Sequence, residues 1–165
     1  MATLLRYWPI AGIYIVSALL ALITIRFQQA PDYMSHFMGF VLILFGAIKL
    51  GDIPGFAKGF SEYDPLARKS TTYASVYPFI ELLLGILFIG QLLILPATLI
   101  TIVIYSISLW GAIQSVVRKE ELHCVCLGTY FKLPLSTVTI LEATFMVGMC
   151  IWMLAMIIAM TSMAM

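Results

Sequence analysis

VYPFIELLLGILFIGQLLILPATLITIVIYSISLWGAIQSVV, residues Val76–Val117, carries one charged side chain, Glu81. One membrane span needs about 20 apolar residues, and this run is about twice that length. It must therefore reverse direction. Gly90, Gln91 and Pro96 mark the place, because glycine and proline interrupt helices. The stretch reads as a tight hairpin of two spans, 77–93 and 96–117.

The rest of the chain agrees. Of its 165 residues 62% are apolar and 10% are charged, and the mean hydropathy is +1.06. Soluble domains carry roughly a quarter charged residues. The fold class is all-α: one integral membrane domain, residues 1–165, built as a polytopic helical bundle of four to five spans. Its partner is the lipid bilayer. A net charge of +1 gives no reason to expect a nucleic-acid partner.

Outward from the hairpin, the first span covers 8–27. Tyr7 and Trp8 stand where interfacial aromatics belong and Arg26 closes the far end. That apolar run is too long for a signal-peptide core and lacks a small-residue cleavage site, so an uncleaved helix is expected. A polar loop, 28–35, contains Pro31 and Asp32, and His36 at its end is expected to be solvated. The second span, 37–50, is short, and Pro54-Gly55 stops it. Within 55–67, Phe56, Phe60 and Tyr63 fall at helical spacing, which predicts a small interfacial helix lying on the membrane surface. Asp64-Pro65 reads as an N-cap and N1 pair opening a further turn. The last span covers 137–160, with Ser136 as its N-cap.

Five spans put the loops on defined sides. Of nine Lys and Arg residues, Lys49 is intramembrane. Arg6, Lys58, Arg68, Lys69, Arg118, Lys119 and Lys132 share the face of the N-terminus, and only Arg26 lies opposite. Basic residues stay in the cytoplasm. The N-terminus and the loop 118–135 are therefore expected there, in a bacterial inner membrane.

That loop contains His123-Cys124-Val125-Cys126-Leu127-Gly128. In extended chain, side chains two apart point the same way, so Cys124 and Cys126 can aim both sulfurs at one point with His123 adjacent. Two chemistries fit. Thiolates and imidazole suit Cu(I), Zn(II) or Hg(II). Alternatively the pair exchanges electrons as thiol and disulfide. Extended residues two apart have Cα atoms about 6.6 Å apart, at the upper edge of disulfide geometry. An internal disulfide would be strained and easily reduced, whereas two sulfurs on one metal need no such compression. In the cytoplasm thiols stay reduced, which favours the metal. No residue is assigned a catalytic role except Cys124 and Cys126 on the redox reading, and a non-enzymatic role is expected.

Lys49, Asp52, Glu81 and Glu142 fall at similar depth on the same side as the cysteines. Intramembrane charges usually face the bundle interior or water. They predict either a polar vestibule beneath the loop or a simple Lys49–Glu81 pair, with Glu142 near a helix N-terminus. In the last span Met146, Met149, Met153, Met156, Met160 and Met163 alternate three and four residues apart, with Cys150 beside them. This stripe is either core packing or a thioether and thiol path through Met146, Met149, Cys150 and Met153 for Cu(I).

These motifs together resemble a known family. The carriers are Met38-Gly39, Phe45, Lys49, Asp52, Gly55-Phe56, Phe60 and Tyr63-Asp64-Pro65-Leu66-Ala67, then Tyr77-Pro78-Phe79-Ile80-Glu81-Leu82 and Gly85. Cys124-Val125-Cys126-Leu127-Gly128-Thr129, Lys132-Leu133-Pro134-Leu135-Ser136 and Glu142 complete the pattern. From Met38 to Met160 the chain resembles MauE/DoxX-type redox-associated membrane proteins, nearest the branch found in heavy-metal-associated proteins. The resemblance implies a small helical bundle. Members of that branch often carry a cytoplasmic C-x-x-C metal domain before the first span. This sequence begins almost at its first helix, so a separate metallochaperone is the expected partner. Other relatives are linked to methylamine utilisation, through maturation of the disulfide-rich small subunit of methylamine dehydrogenase, and imply a redox partner protein instead. A structural subunit of a larger complex is the third role open to the chain.

Overall fold

The computed structural model describes residues 2–28, 32–118, 123–124 and 133–163. Helix α1 is Ala2–Gln28, α2 Tyr33–Leu50, α3 Ile53–Tyr63, α4 Thr71–Ile89, α5 Ile94–Val117 and α6 Leu135–Met163. Two short strands, β1 His123–Cys124 and β2 Leu133–Pro134, pair antiparallel between α5 and α6. Four helices, α2, α4, α5 and α6, are long and apolar enough to cross a membrane, and α1 adds a shorter apolar stretch, Ile10–Arg26.

Local chemistry sets the helix ends, and it lengthens several predicted spans. The Asp32 carboxylate accepts the Ser35 amide at 3.4 Å, which opens α2 at Tyr33 rather than at 37. Ser35 and His36 thus belong to the helix, and both are buried. The expectation of a solvated His36 is wrong: the cap sits one turn before it and turns it inward. The Asp52 carboxylate accepts the Gly55 amide at 2.9 Å, so Pro54, besides ending the preceding helix, stands in the first turn of α3. Ser70 caps α4 at Thr71. Pro78 lies in the interior of that helix.

The hairpin turns where the sequence breaks. Gln91 and Leu93 adopt left-handed backbone, with φ of 54° and 50°, and Pro96 lies in the first turn of α5. α6 opens at Leu135, so Ser136 falls in its first turn.

α2 packs along α4, α5 along α6, and α1 against α2. Gly39 and Gly85 permit the first of these. A Cβ on either would stand 2.8 Å from the other's carbonyl oxygen, so the two backbones touch where any side chain would separate them. From α1, Tyr14 reaches Phe45 and Phe145, with ring centroids 6.0 and 5.0 Å away. The centre is filled by Met38, Leu42, Phe45, Phe88 and Met146. Large apolar side chains such as Leu19, Leu83, Val103 and Ile151 face outward, as lipid contact requires.

The amphipathic helix α3 forms as its spacing predicts, but its aromatic face is not laid into lipid. Phe56, Phe60 and Tyr63 are buried, and Phe60 meets Tyr77 of α4 with centroids 4.5 Å apart. Burying those rings against α4 and α5 removes more apolar surface from water than a surface position would.

Candidate functional site

Four helices each place one polar side chain at a common point. Lys49 lies in the last turn of α2, Glu81 in mid-α4, Tyr105 in mid-α5 and Glu142 two turns into α6. Lys49, Glu81 and Glu142 are 3%, 1% and 3% exposed. The Lys49 Nζ stands 2.6 Å from Glu81 Oε1 and 3.7 Å from Glu142 Oε1. The Tyr105 hydroxyl donates to Glu81 Oε1 at 2.8 Å. Rings of Tyr77, Phe56 and Phe45 surround the ammonium, with centroids at 5.3, 5.6 and 5.9 Å. Aromatic faces favour a cation where water is absent.

The predicted Lys49–Glu81 pair is therefore present. Glu142 joins it: at two turns from the start of α6 it faces the lysine, beyond the reach of the helix terminus. The cluster brings two acids and one base together, and buried charges of this kind are tolerated in low dielectric only where they meet partners. Glu81 Oε2 has no hydrogen-bond partner among the described residues. A cavity of about 10 Å³, the scale of one water, adjoins Lys49, Tyr77, Tyr105, Ser108, Thr139 and Glu142.

A second anchor borders the site. Asp64 Oδ1 accepts the amides of Leu66 and Ala67, both at 2.9 Å, and Oδ2 accepts the Ser108 hydroxyl at 2.6 Å. Asp64 thus caps its turn, as the Asp-Pro pair predicts, and also ties the α3–α4 connection to α5. Asp52 caps α3.

Sequence reasoning missed Tyr105 and Ser108. The signal was there: Thr98, Thr101, Tyr105, Ser108, Ala112 and Ser115 are all buried and recur at helical spacing on α5.

Strands β1 and β2 lie against α6. In the β1–β2 ladder His123 faces Pro134 and Cys124 faces Leu133, and Leu135 begins α6 directly afterwards. Cys124 is thereby pinned by its backbone beside the helix that carries Glu142. Cys126 lies outside the described residues, as do 119–122 and 125–132. Among the described residues no three His, Cys, Asp or Glu side chains converge as a metal site.

Met146, Met149, Cys150 and Met153 are buried in the core, whereas Met156 is 50% exposed. Cys150 is a free thiol within that core.

At the opposite end of α2 the Ser35 hydroxyl donates to the Phe88 carbonyl at 2.9 Å. His36 Nδ1 stands 2.8 Å from the Asp32 carbonyl and 3.4 Å from Gln91 Nε2.

This fold, four long apolar helices around a buried lysine–carboxylate cluster, defines a small polytopic helical membrane protein. A family model described as methylamine utilisation protein MauE matches residues 28–156, well over half of the chain. The chain belongs to the MauE family. No curated protein and no solved structure matches it.

Proposed function

We propose that this MauE-family protein handles a soft metal ion, bound by Cys124 and Cys126 with His123 as a further donor. The observation that carries the reading is the extended, paired backbone of His123 and Cys124. The C-x-C spacing itself, two residues apart in sequence, suits one shared ion in extended chain and suits an internal disulfide poorly. The two carboxylates gathered at Lys49 support the reading, because carboxylates in a membrane bundle favour the passage of a cation. The ion is Cu(I), Zn(II) or Hg(II), the loop is cytoplasmic in an inner membrane, and a metallochaperone delivers the metal. The test is the metal content of purified, reduced protein. Wild type should retain close to one soft metal ion per chain and a C124S/C126S double variant none; equal content in both would end the reading.

The family description favours a second reading. Methylamine utilisation points to a thiol–disulfide protein supporting maturation of an exported enzyme. A partner thiolate would attack the Cys124–Cys126 disulfide and form a mixed disulfide. A second partner thiolate would then displace the loop thiol, leaving two electrons and two protons on the loop pair. A membrane quinone or another disulfide would reoxidise it. A covalent complex trapped by single Cys→Ser variants would support this reading.

A further inference from the structure

The connection 64–70 and the end of α5 enclose a cavity of about 190 Å³ lined by Tyr63, Pro65, Arg68, Lys69, Gln114 and Arg118, among others. We infer that this cavity binds the phosphate headgroup of an anionic phospholipid, with Arg68, Lys69 and Arg118 as its cationic ligands.

Three basic side chains, from segments about fifty residues apart in sequence, converge on one space, and among the described residues no carboxylate lines it. Like charges held together repel, and an anion between them relieves that repulsion. The Arg68 guanidinium is fixed at the rim, where its Nη2 donates to the Glu62 carbonyl. Gln114 and the largely buried Ser115 add neutral donors. The floor is built close by Gly111. A Cβ there would run into the Tyr63 carbonyl, so α5 can approach the end of α3 only with glycine at this position.

The surroundings select a lipid over a soluble phosphate. Trp110, Ile113 and Val117 are 62%, 42% and 77% exposed. Spaced three and four apart, they form one apolar face of α5 that ends at Arg118. Acyl chains would lie along that face while the headgroup meets the cations. The cavity lies at the end of the bundle that the basic residues assign to the cytoplasm, where anionic lipids attract basic segments.

The experiment measures binding of full-length protein in nanodiscs to fluorescent phosphatidylglycerol against a phosphatidylcholine background. Wild type should prefer phosphatidylglycerol. R68Q, K69Q and R118Q should each weaken it about fivefold, and the triple variant roughly a hundredfold. R68K/R118K keeps the charges and should retain the preference, which separates loss of the site from misfolding. K58Q, a basic residue of α3 outside the cavity, should leave it unchanged. If the triple variant matches a folded wild type, or if K58Q weakens binding as much as R118Q, the site is overturned and only diffuse attraction to the leaflet remains. If inorganic phosphate at millimolar concentration displaces the lipid completely, the ligand is free phosphate and the lipid assignment fails.

Discussion

Lys49 Nζ lies 3.7 Å from Glu142 Oε1 as well as 2.6 Å from Glu81 Oε1, so one buried ammonium serves two buried carboxylates. The three residues cannot be equivalent on removal. Lys49→Met takes the cation from both acids and should destabilise most, by about 3–5 kcal/mol, the range for breaking a buried pair. Glu81→Gln should cost less, since Glu142 still faces the lysine. The K49M/E81Q double change should be milder than the sum of the singles. Thermal unfolding in detergent measures all three. Additive losses would mean that the charges do not act as a unit.

Tyr105 tests the same cluster from α5. Its hydroxyl donates to the carboxylate oxygen that Lys49 also contacts. Tyr105→Phe keeps the ring and removes only the donor, so it should cost about 1.5–3 kcal/mol, as for a hydrogen bond to a charged group. In a Glu81→Gln background the same change should cost clearly less, because the acceptor is then neutral. An unchanged melting temperature for Tyr105→Phe would show that the hydroxyl contributes nothing to the cluster.

Much of this arrangement was legible in the sequence, for physical reasons. A lysine and glutamates inside apolar helices must find partners, so Lys49 and Glu81 announced their pair. The break at Gly90, Gln91 and Pro96 announced the hairpin. Tyr105 was hidden because a tyrosine in an apolar run reads equally as packing, and its hydroxyl partner lies on another helix. His36 was misread because the Asp32 cap, outside the apolar pattern, carries α2 back past it. The aromatic face of α3 was visible, but the sequence could not say whether lipid or α4 covers it.

The basic residues predict sidedness. Lys58 lies within α3, Arg68 and Lys69 in the connection to α4, and Arg118 at the end of α5, all on segments that the five-span reading puts on one side with the cysteine loop. An impermeant maleimide should therefore leave Cys124 and Cys126 unlabelled in intact cells and modify them in inverted vesicles. Buried Cys150 should be silent in both. Strong labelling in intact cells would put the loop outside and shift weight to the redox reading.

The cysteine loop decides between the two functions. Metal ligands must be deprotonated, so soft-metal affinity should strengthen as pH rises toward and through the thiol range and weaken as pH falls. C124S and C126S should each abolish most of it, because a neutral hydroxyl replaces thiolate poorly. Cys150→Ser should change nothing, since that thiol is packed in the middle of α6. H123A distinguishes the ions. Cu(I) and Hg(II) accept two ligands, so two thiolates suffice and the loss should be small. Zn(II) prefers four, so losing an imidazole should weaken it by about tenfold or more. The measurement is a competition titration of reduced wild type and variants against a calibrated chelator. If wild type and C124S/C126S bind copper, zinc and mercury alike, the loop is not a metal site. The extended backbone at Cys124 would then serve thiol–disulfide exchange, which the same double variant should abolish.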